Sequence, residues 1–525
     1  MQNYFSHSLS LARLVITCRS LNIIATNRFV FDLHCYQESL MFKSHPSGLS
    51  TLFFIEMWER FSFYGMRGLL LLFMVASAEQ GGFGMSTEDS AAIYGLYTAL
   101  VYLLALPGGW IADRLIGQQK AVFYGGVFIA LGHFSMAIAG KIGFFTGLGL
   151  IIIGTGLLKP NVSAIVGQLY HNDTSKRDAG FSIFYMGINL GAFLGPLVCG
   201  MLGENIDWHL GFGAAGIGMV CGLIQYRLKM GELGDAGTFK LINQQQLDKD
   251  RTLFFKISVT IISLILGVTV AASTGVINLS LSAVANVTGV IIVALAIGFF
   301  VYALVFGKLT TAQKKNIGLI FLLFIGYAIF NSGFEQAGSS MNLFAKQYTD
   351  LSILSWQMPA SWLQSVNALF IIIMAPIMGG LWLWLGHRNP SVLVKFSLGL
   401  LLLGSGFFVL AWGASFSYAN STGVSPMWLV VTYYLHTIGE LCLSPIGLSA
   451  VSQLSPKHLV SQMMGIWFMG ASLGNLIAGL AAGQIGTLPM QELFTIVASV
   501  SVIAGVIYLL ISPLEKYVQV NAKAK

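Results

Sequence analysis

Fourteen predominantly apolar stretches, each about the length of a membrane-spanning helix, dominate the chain. They lie near residues 50–76, 90–112, 120–139, 142–166, 180–202, 209–228, 253–273, 283–307, 315–345, 362–385, 391–413, 427–452, 461–483 and 491–512. A run of about 20 apolar residues crosses a bilayer as a helix, because no other open structure satisfies its backbone in lipid. A polar segment, Lys229 to Arg251, follows the sixth stretch, and a basic one (Lys308, Lys314, Lys315) follows the eighth. The chain thus divides into six, two and six. Only 9% of its residues are charged, against about 25% in soluble domains, which excludes a water-exposed surface for the whole chain. The fold class is an all-α polytopic membrane protein with 14 spans.

Charge distribution orients the spans. With the residue before the first span placed in the cytoplasm, Lys and Arg collect in alternate loops. These are Arg114 and Lys120, Lys176 and Arg177, Arg227 through Arg251, Lys308 through Lys315, Arg388, Lys457, and the tail from Lys516. Lys141 and Lys346 fall in the opposite set, and loops 79–89 and 414–426 contain neither Lys nor Arg. Both termini are therefore expected in the cytoplasm. The formal net charge of +7 is accounted for by these loops, so nucleic acid is not an expected partner. Residues 1–40 contain no apolar run long enough for a span or signal peptide. Met41 opens a short basic lead-in to the first span, and translation is expected to start there, with residues 1–40 outside the working protein or disordered.

Among the ionisable residues inside the spans seven stand out: Glu56, Glu59, Arg60, Arg67, Lys159, Glu335 and Glu440. Each costs on the order of 2.5–3.5 kcal/mol at a helix centre, so each is expected to face partners or water. Glu56, Arg60, Phe63, Tyr64 and Arg67 fall at offsets 0, 4, 7, 8 and 11 and share one helical face, with Glu59 beside it. A self-neutralising structural ladder is the plain alternative, although such a ladder rarely needs a second acid and a second base at this depth. The five cysteines (Cys18, Cys35, Cys199, Cys221, Cys442) have no metal-ligand or paired spacing and read as packing residues. No HExxH, GxSxG or Cys/His cluster occurs, so neither catalytic nor metal-ligating residues are expected.

Between the second and third spans, Gly109-Trp110-Ile111-Ala112-Asp113-Arg114-Leu115-Ile116-Gly117, followed by Lys120, resembles the loop motif of the major facilitator superfamily. Physically it reads as a tight cytoplasmic turn in which Asp113 and Arg114 cap neighbouring helix ends, a gating and structural role. The resemblance implies two six-helix bundles, 50–228 and 315–512. A linker, 229–314, would carry an extra helix pair, 253–307, beside the core and away from substrate. Residues 1–49 and 513–525 would be cytoplasmic.

A second resemblance is more specific. Glu56-Met57-Trp58-Glu59-Arg60-Phe61-Ser62-Phe63-Tyr64-Gly65 looks like the ExxERFxYYG signature of proton-dependent oligopeptide transporters, with Phe63 replacing the first tyrosine. Gly154-Thr155-Gly156-Leu157-Leu158-Lys159-Pro160-Asn161-Val162-Ser163 resembles that family's fourth-span string, and Phe184-Tyr185-Met186-Gly187-Ile188-Asn189-Leu190-Gly191 its fifth-span FYxxINxG. Phe334-Glu335-Gln336, and Gly439-Glu440-Leu441 with Ser444-Pro445, match its seventh and tenth spans.

What the resemblance implies is proton-coupled symport of di- and tripeptides by alternating access, in a bacterial inner membrane, without a cofactor other than the coupling proton. Arg67 and Lys159, with Arg60 nearby, would take the peptide carboxylate. Glu440 would meet the amino terminus, with Asn189 and Asn367 as amide partners. Tyr64 and Tyr102 would donate from the cavity wall, and Trp467 would line the side-chain pocket. Glu335, set against Arg67, would couple to protons by releasing that arginine on protonation. Glu56 and Glu59 would form a second protonatable group near Arg60. The gating histidine of animal peptide transporters falls at Gly95, and His133 reads as a packed neutral residue. Pro160, Pro376 and Pro445 each lie inside an apolar run and read as kinks. Glycine-rich stretches near Gly191–Gly200 and Gly470–Gly483 would let helices approach closely. Competing readings are carriage of nitrate or another small anion, or of a drug by a 14-span antiporter. Retention of Glu440 for an amine favours peptides over the first, and the ExxER face argues against the second.

Overall fold

The computed structural model describes residue 42 and residues 44–170, 176–239, 243–277, 280–420, 423–456 and 459–515. The expected start at Met41, residues 1–40, and the charges at Lys457 and Lys516 lie outside the described residues.

The helices are α1 Gly48–Val75, α2 Thr87–Ile116, α3 Gln118–Met136, α4 Lys141–Leu169, α5 Arg177–Asn205, α6 Trp208–Lys229, α7 Gln244–Ser273, α8 Leu281–Phe306, α9 Thr311–Tyr348, α10 Ala360–Arg388, α11 Val392–Asn420, α12 Met427–Leu454, α13 Val460–Ala482 and α14 Met490–Ile511. Among the described residues, twelve helices are long and apolar enough to cross a membrane on length and composition alone. The remaining two long helices are α1, which carries four of the intramembrane charges, and α3, which carries Lys120 and His133. Local signals set many of the boundaries. Ser86 caps α2 by accepting from Asp89 N, Asp207 caps α6 through His209 N, and Thr310 with Gln313 forms a capping box on α9. Gly117, at φ +86°, makes the left-handed turn that ends α2.

The polar stretch Lys229 to Arg251 is not one uninterrupted linker. It holds a short turn, Met230–Leu233, and then the first turns of α7. Asn243 caps that helix by accepting from Gln245 N, and Gln, Leu and Lys propagate it readily. Two short strands, β1 Ser352–Ile353 and β2 Trp356–Gln357, form a hairpin in the connection after α9.

Packing follows the six-two-six division. α1 lies along α5 and α6, and α3 along α4 and α6; α11 packs on α12 and α14, and α9 on α13. The two halves meet where α2 runs along α13 and α5 along α10. Glycine permits the closest of these approaches. A Cβ on Gly191 would lie 2.1 Å from Met57 O, so the backbone of α5 rests directly on α1. A Cβ on Gly95 would lie 3.0 Å from Gly479 Cα, where α2 and α13 touch. Of the extra pair, α8 buries Ala285, Ile292, Ala296, Phe300 and Ala303 and packs on α2 and α13. By contrast α7 buries only Leu247 and Asp250, and Asp250 pairs with Arg114 at 3.5 Å.

Polar ties between the halves join residues away from the basic loops. Asn342 Nδ2 donates to Gly68 O at 2.8 Å, Trp362 Nε1 to Leu197 O at 2.8 Å, Ser365 Oγ to Phe193 O at 2.7 Å and Ser472 Oγ to Ala99 O at 2.8 Å. Among the described residues no such bond joins the halves at the basic end.

Candidate substrate and coupling site

A cavity of about 240 Å³ lies between the halves. Nine of the residues singled out from sequence line it: Glu56, Arg60, Tyr64 and Arg67 from α1, Tyr102 from α2, Lys159 from α4, Asn189 from α5, Asn367 from α10 and Glu440 from α12. The single face of α1 arises because those residues recur at helical spacing, and the glycines of α5 hold that helix directly against α1 beside this face.

Two ionic clusters are built on α1. Arg60 Nε lies 3.2 Å from Glu56 Oε1 and 2.5 Å from Glu59 Oε2, all three side chains being buried. Glu56 Oε2, Glu59 Oε1 and Arg60 Nη2 have no hydrogen-bond partner among the described residues. Two turns on, Arg67 donates from Nε to Tyr94 Oη at 2.8 Å, and its Nη1 lies 3.1 Å from Glu335 Oε2 on α9. The pair joins the two halves. Glu335 sits where the α-helix of α9 gives way to a 3-10 turn, Glu335–Gly338, so the break in the helix holds the carboxylate against α1.

Lys159 Nζ lies 3.6 Å from the centroid of the Tyr102 ring, a cation–π contact across α2 and α4. Pro160 next to it has no N–H for the Gly156 carbonyl, and α2 uses that site for close packing: a Cβ on Gly108 would lie 2.0 Å from Gly156 O. Asn161 donates to Leu157 O at 2.7 Å and to Gly108 O at 3.4 Å, tying the same helices together.

On the facing wall, Asn367 Nδ2 donates to Thr437 Oγ1 at 2.8 Å, one turn from Glu440. Glu440 Oε2 has no hydrogen-bond partner among the described residues. Asn189 donates to Tyr185 O on its own helix.

Other sequence-selected residues sit elsewhere. Trp467 does not line the cavity; it is 3% exposed and stacks face to face on Tyr327, with centroids 3.8 Å apart. Gly447 makes room for its indole edge, since a Cβ there would lie 2.2 Å from it. Asp113 accepts from Gln118 Nε2 at 3.0 Å, and Arg114 faces Asp250, both at the end of α2. His133 is wholly buried, with no hydrogen-bond partner for either ring nitrogen among the described residues. Cys199 and Cys442 are buried and Cys221 is exposed; Cys18 and Cys35 lie outside the described residues. Among the described residues no group of three His, Cys, Asp or Glu could hold a metal ion.

Sequence reading gives no role to Ser163, Tyr185, Gln364, Tyr433 and His436 in the cavity wall, or to Tyr94 behind Arg67. Two signals were available: Tyr185 is four residues before Asn189, and Tyr433 and His436 precede Glu440 by seven and four. Both spacings place the residues on the same helical face.

Comparison with known proteins agrees with this geometry. A family model described as the POT family matches residues 119–497. The chain is 42% identical to the peptide transporter YePEPT of Yersinia enterocolitica subsp. palearctica, over 90% of this chain and 96% of that protein. It is 34% identical to a di-/tripeptide transporter of Lactococcus lactis subsp. cremoris, over 90% and 96% of the two. Its fold matches the crystal structure of a peptide transporter, POT, in complex with sulfate, with a TM-score of 0.83, 37% identity and coverage of 90% and 96%. With these likenesses spanning both halves, the chain belongs to the POT family of membrane transporters.

Proposed function

We propose that the protein carries di- and tripeptides together with protons into a bacterial cell across its inner membrane, by alternating access between bundles 50–228 and 315–512. The observation that carries this reading is the polarity of the cavity. Cations Arg60, Arg67 and Lys159 stand on walls from one half, and a carboxylate with a buried oxygen, Glu440, stands on a helix of the other. A zwitterion with variable side chains suits such a site: its carboxylate meets the cations and its amino group meets Glu440, Asn189 and Asn367. Tyr64 and Tyr102 complete the wall as hydrogen-bond donors. The names of the relatives above support peptides over anions or drugs.

Coupling rests on Glu335. While ionised it holds Arg67; once protonated it frees Arg67 for the peptide carboxylate and removes an ion pair that ties the halves. Glu56, Glu59 and Arg60 form a second proton-responsive group. Asp113 and Arg114 gate the basic end. That end is cytoplasmic in this reading, with both termini on the same side. One proton driven by about 100 mV and one pH unit supplies roughly 2.3 plus 1.4 kcal/mol. At about 1.4 kcal/mol per tenfold step, accumulation on the order of 500-fold per coupled proton follows.

The test is uptake of labelled dialanine into proteoliposomes, with and without an inward proton gradient, for the parent and Glu335→Gln. Gradient-driven accumulation that collapses in the variant, while counterflow exchange survives, supports symport with coupling at Glu335. No uptake by the parent under any gradient overturns the peptide reading.

A further inference from the structure

We infer that His436 supplies an acceptor for the substrate's ammonium group, and that with Asn367 and Glu440 it makes the site selective for a primary amine. The inference deepens the reading above and rests on it. His436 lines the cavity one helical turn from Glu440, about 6 Å apart along α12.

Hydrogen-bond bookkeeping assigns the role. Nε2 of His436 lies 3.1 Å from Leu403 O, and a carbonyl oxygen only accepts, so the proton is on Nε2. In the neutral ring that leaves Nδ1 a lone-pair acceptor. No described protein group is bonded to Nδ1, and it is not sealed in the packing as both nitrogens of His133 are. The ring is also held in place. A Cβ on Gly406 would lie 2.6 Å from Cδ2, so only glycine leaves room for the imidazole against α11, and Phe407 lies across it at 4.8 Å.

The same bookkeeping fixes Asn367. Thr437 Oγ1 donates to Tyr433 O at 2.7 Å, so it accepts from Asn367 Nδ2 at 2.8 Å, leaving Asn367 Oδ1 free to accept. Glu440 Oε2 is likewise without a protein donor. A carboxylate oxygen, an amide oxygen and an imidazole nitrogen, borne on adjacent turns of α12 and on α10, give one acceptor for each N–H of an –NH₃⁺ group. A secondary amine would place a methyl group against one of them.

The experiment compares the parent, His436→Gln and His436→Asn, reconstituted, by competition binding of dialanine and its N-methyl form, and of 5-aminolevulinate and its N-methyl form. Gln keeps a donor for Leu403 and removes the acceptor at Nδ1; Asn keeps an acceptor there. The parent is expected to prefer each primary amine by roughly tenfold or more. His436→Gln is expected to bring that ratio within about twofold, and His436→Asn to retain most of it. A Gln variant that keeps the parent ratio, or an Asn variant that loses as much as Gln, overturns the assignment. Thermal unfolding confirms folded protein, and His436→Leu replaces the Gln variant if that one does not fold. If the parent binds 5-aminolevulinate but not dialanine, the peptide reading fails and the amine ratio alone decides His436. If it binds neither, both readings fall.

Discussion

Glu204 on α5 accepts a hydrogen bond from Lys346 Nζ on α9 at 3.0 Å, across the boundary between the two halves. The same carboxylate, fully buried, also takes the N–H groups of Ala360 at 3.2 Å and Ser361 at 2.9 Å at the start of α10. An anion at a helix N-terminus is favourable, and here the helix belongs to the other half. This pairing accounts for Lys346 standing among the loops otherwise poor in positive charge. Glu204→Ala is expected to weaken closure of this face by about 1–3 kcal/mol. In a cysteine-free background carrying Ser361→Cys, an impermeant maleimide should label the Glu204→Ala protein faster than its parent. Equal labelling rates would show that the contact does not restrain the face.

Arg67 uses two edges of its guanidinium, Nε on Tyr94 and Nη1 on Glu335. A lysine keeps the charge but presents a single nitrogen and cannot hold both partners in that fork geometry. Arg67→Lys is therefore expected to raise the KM for dialanine uptake at least about tenfold, comparable to the loss of one charge-assisted hydrogen bond. Transport kinetics near the parent's would mean that charge alone suffices.

Gly95 meets Gly479 backbone to backbone, and an added Cβ would also lie 3.2 Å from Leu476 O. Gly95→Ala should push α2 from α13 and lower stability in detergent by about 1–3 kcal/mol, the usual cost of overpacking. The readout is the thermal unfolding midpoint. An unchanged midpoint would indicate that the helices separate freely at this point.

Trp467 stacked on Tyr327 is a packing element in the state described. Trp467→Ala should cost about 3–5 kcal/mol of stability while leaving the ranking of dipeptides by side-chain size unaltered. A reordered ranking, with stability retained, would place the indole in the side-chain pocket during another part of the cycle.

Much of the site was legible before any coordinates, because a charge inside an apolar span is costly and rarely accidental. Glu56, Arg60, Tyr64 and Arg67 declared a shared face through their spacing, and the cavity indeed takes all four. Residues without charge carried no such signal. Tyr433 and His436 differ little in sequence from the aromatic residues that fill helix contacts, and Trp467 was drawn toward the cavity by resemblance although its indole packs on Tyr327. Glu204 lies two residues past the end of its apolar run near 180–202, where a carboxylate usually meets water, and nothing local marks it as buried.

The sequence by itself determined the number and order of the spans, their distribution about the basic loops, and the identity of the ionised groups, since each is a one-dimensional property of apolar length and charge cost. Only the tertiary structure decided which halves touch and where. The Arg67–Glu335 pair, the Gly95–Gly479 contact and the Glu204 bridge to Lys346 join residues 268, 384 and 142 positions apart. Helical periodicity relates residues within a few turns, whereas pairings at such range are set by how whole helices pack, which no local pattern encodes.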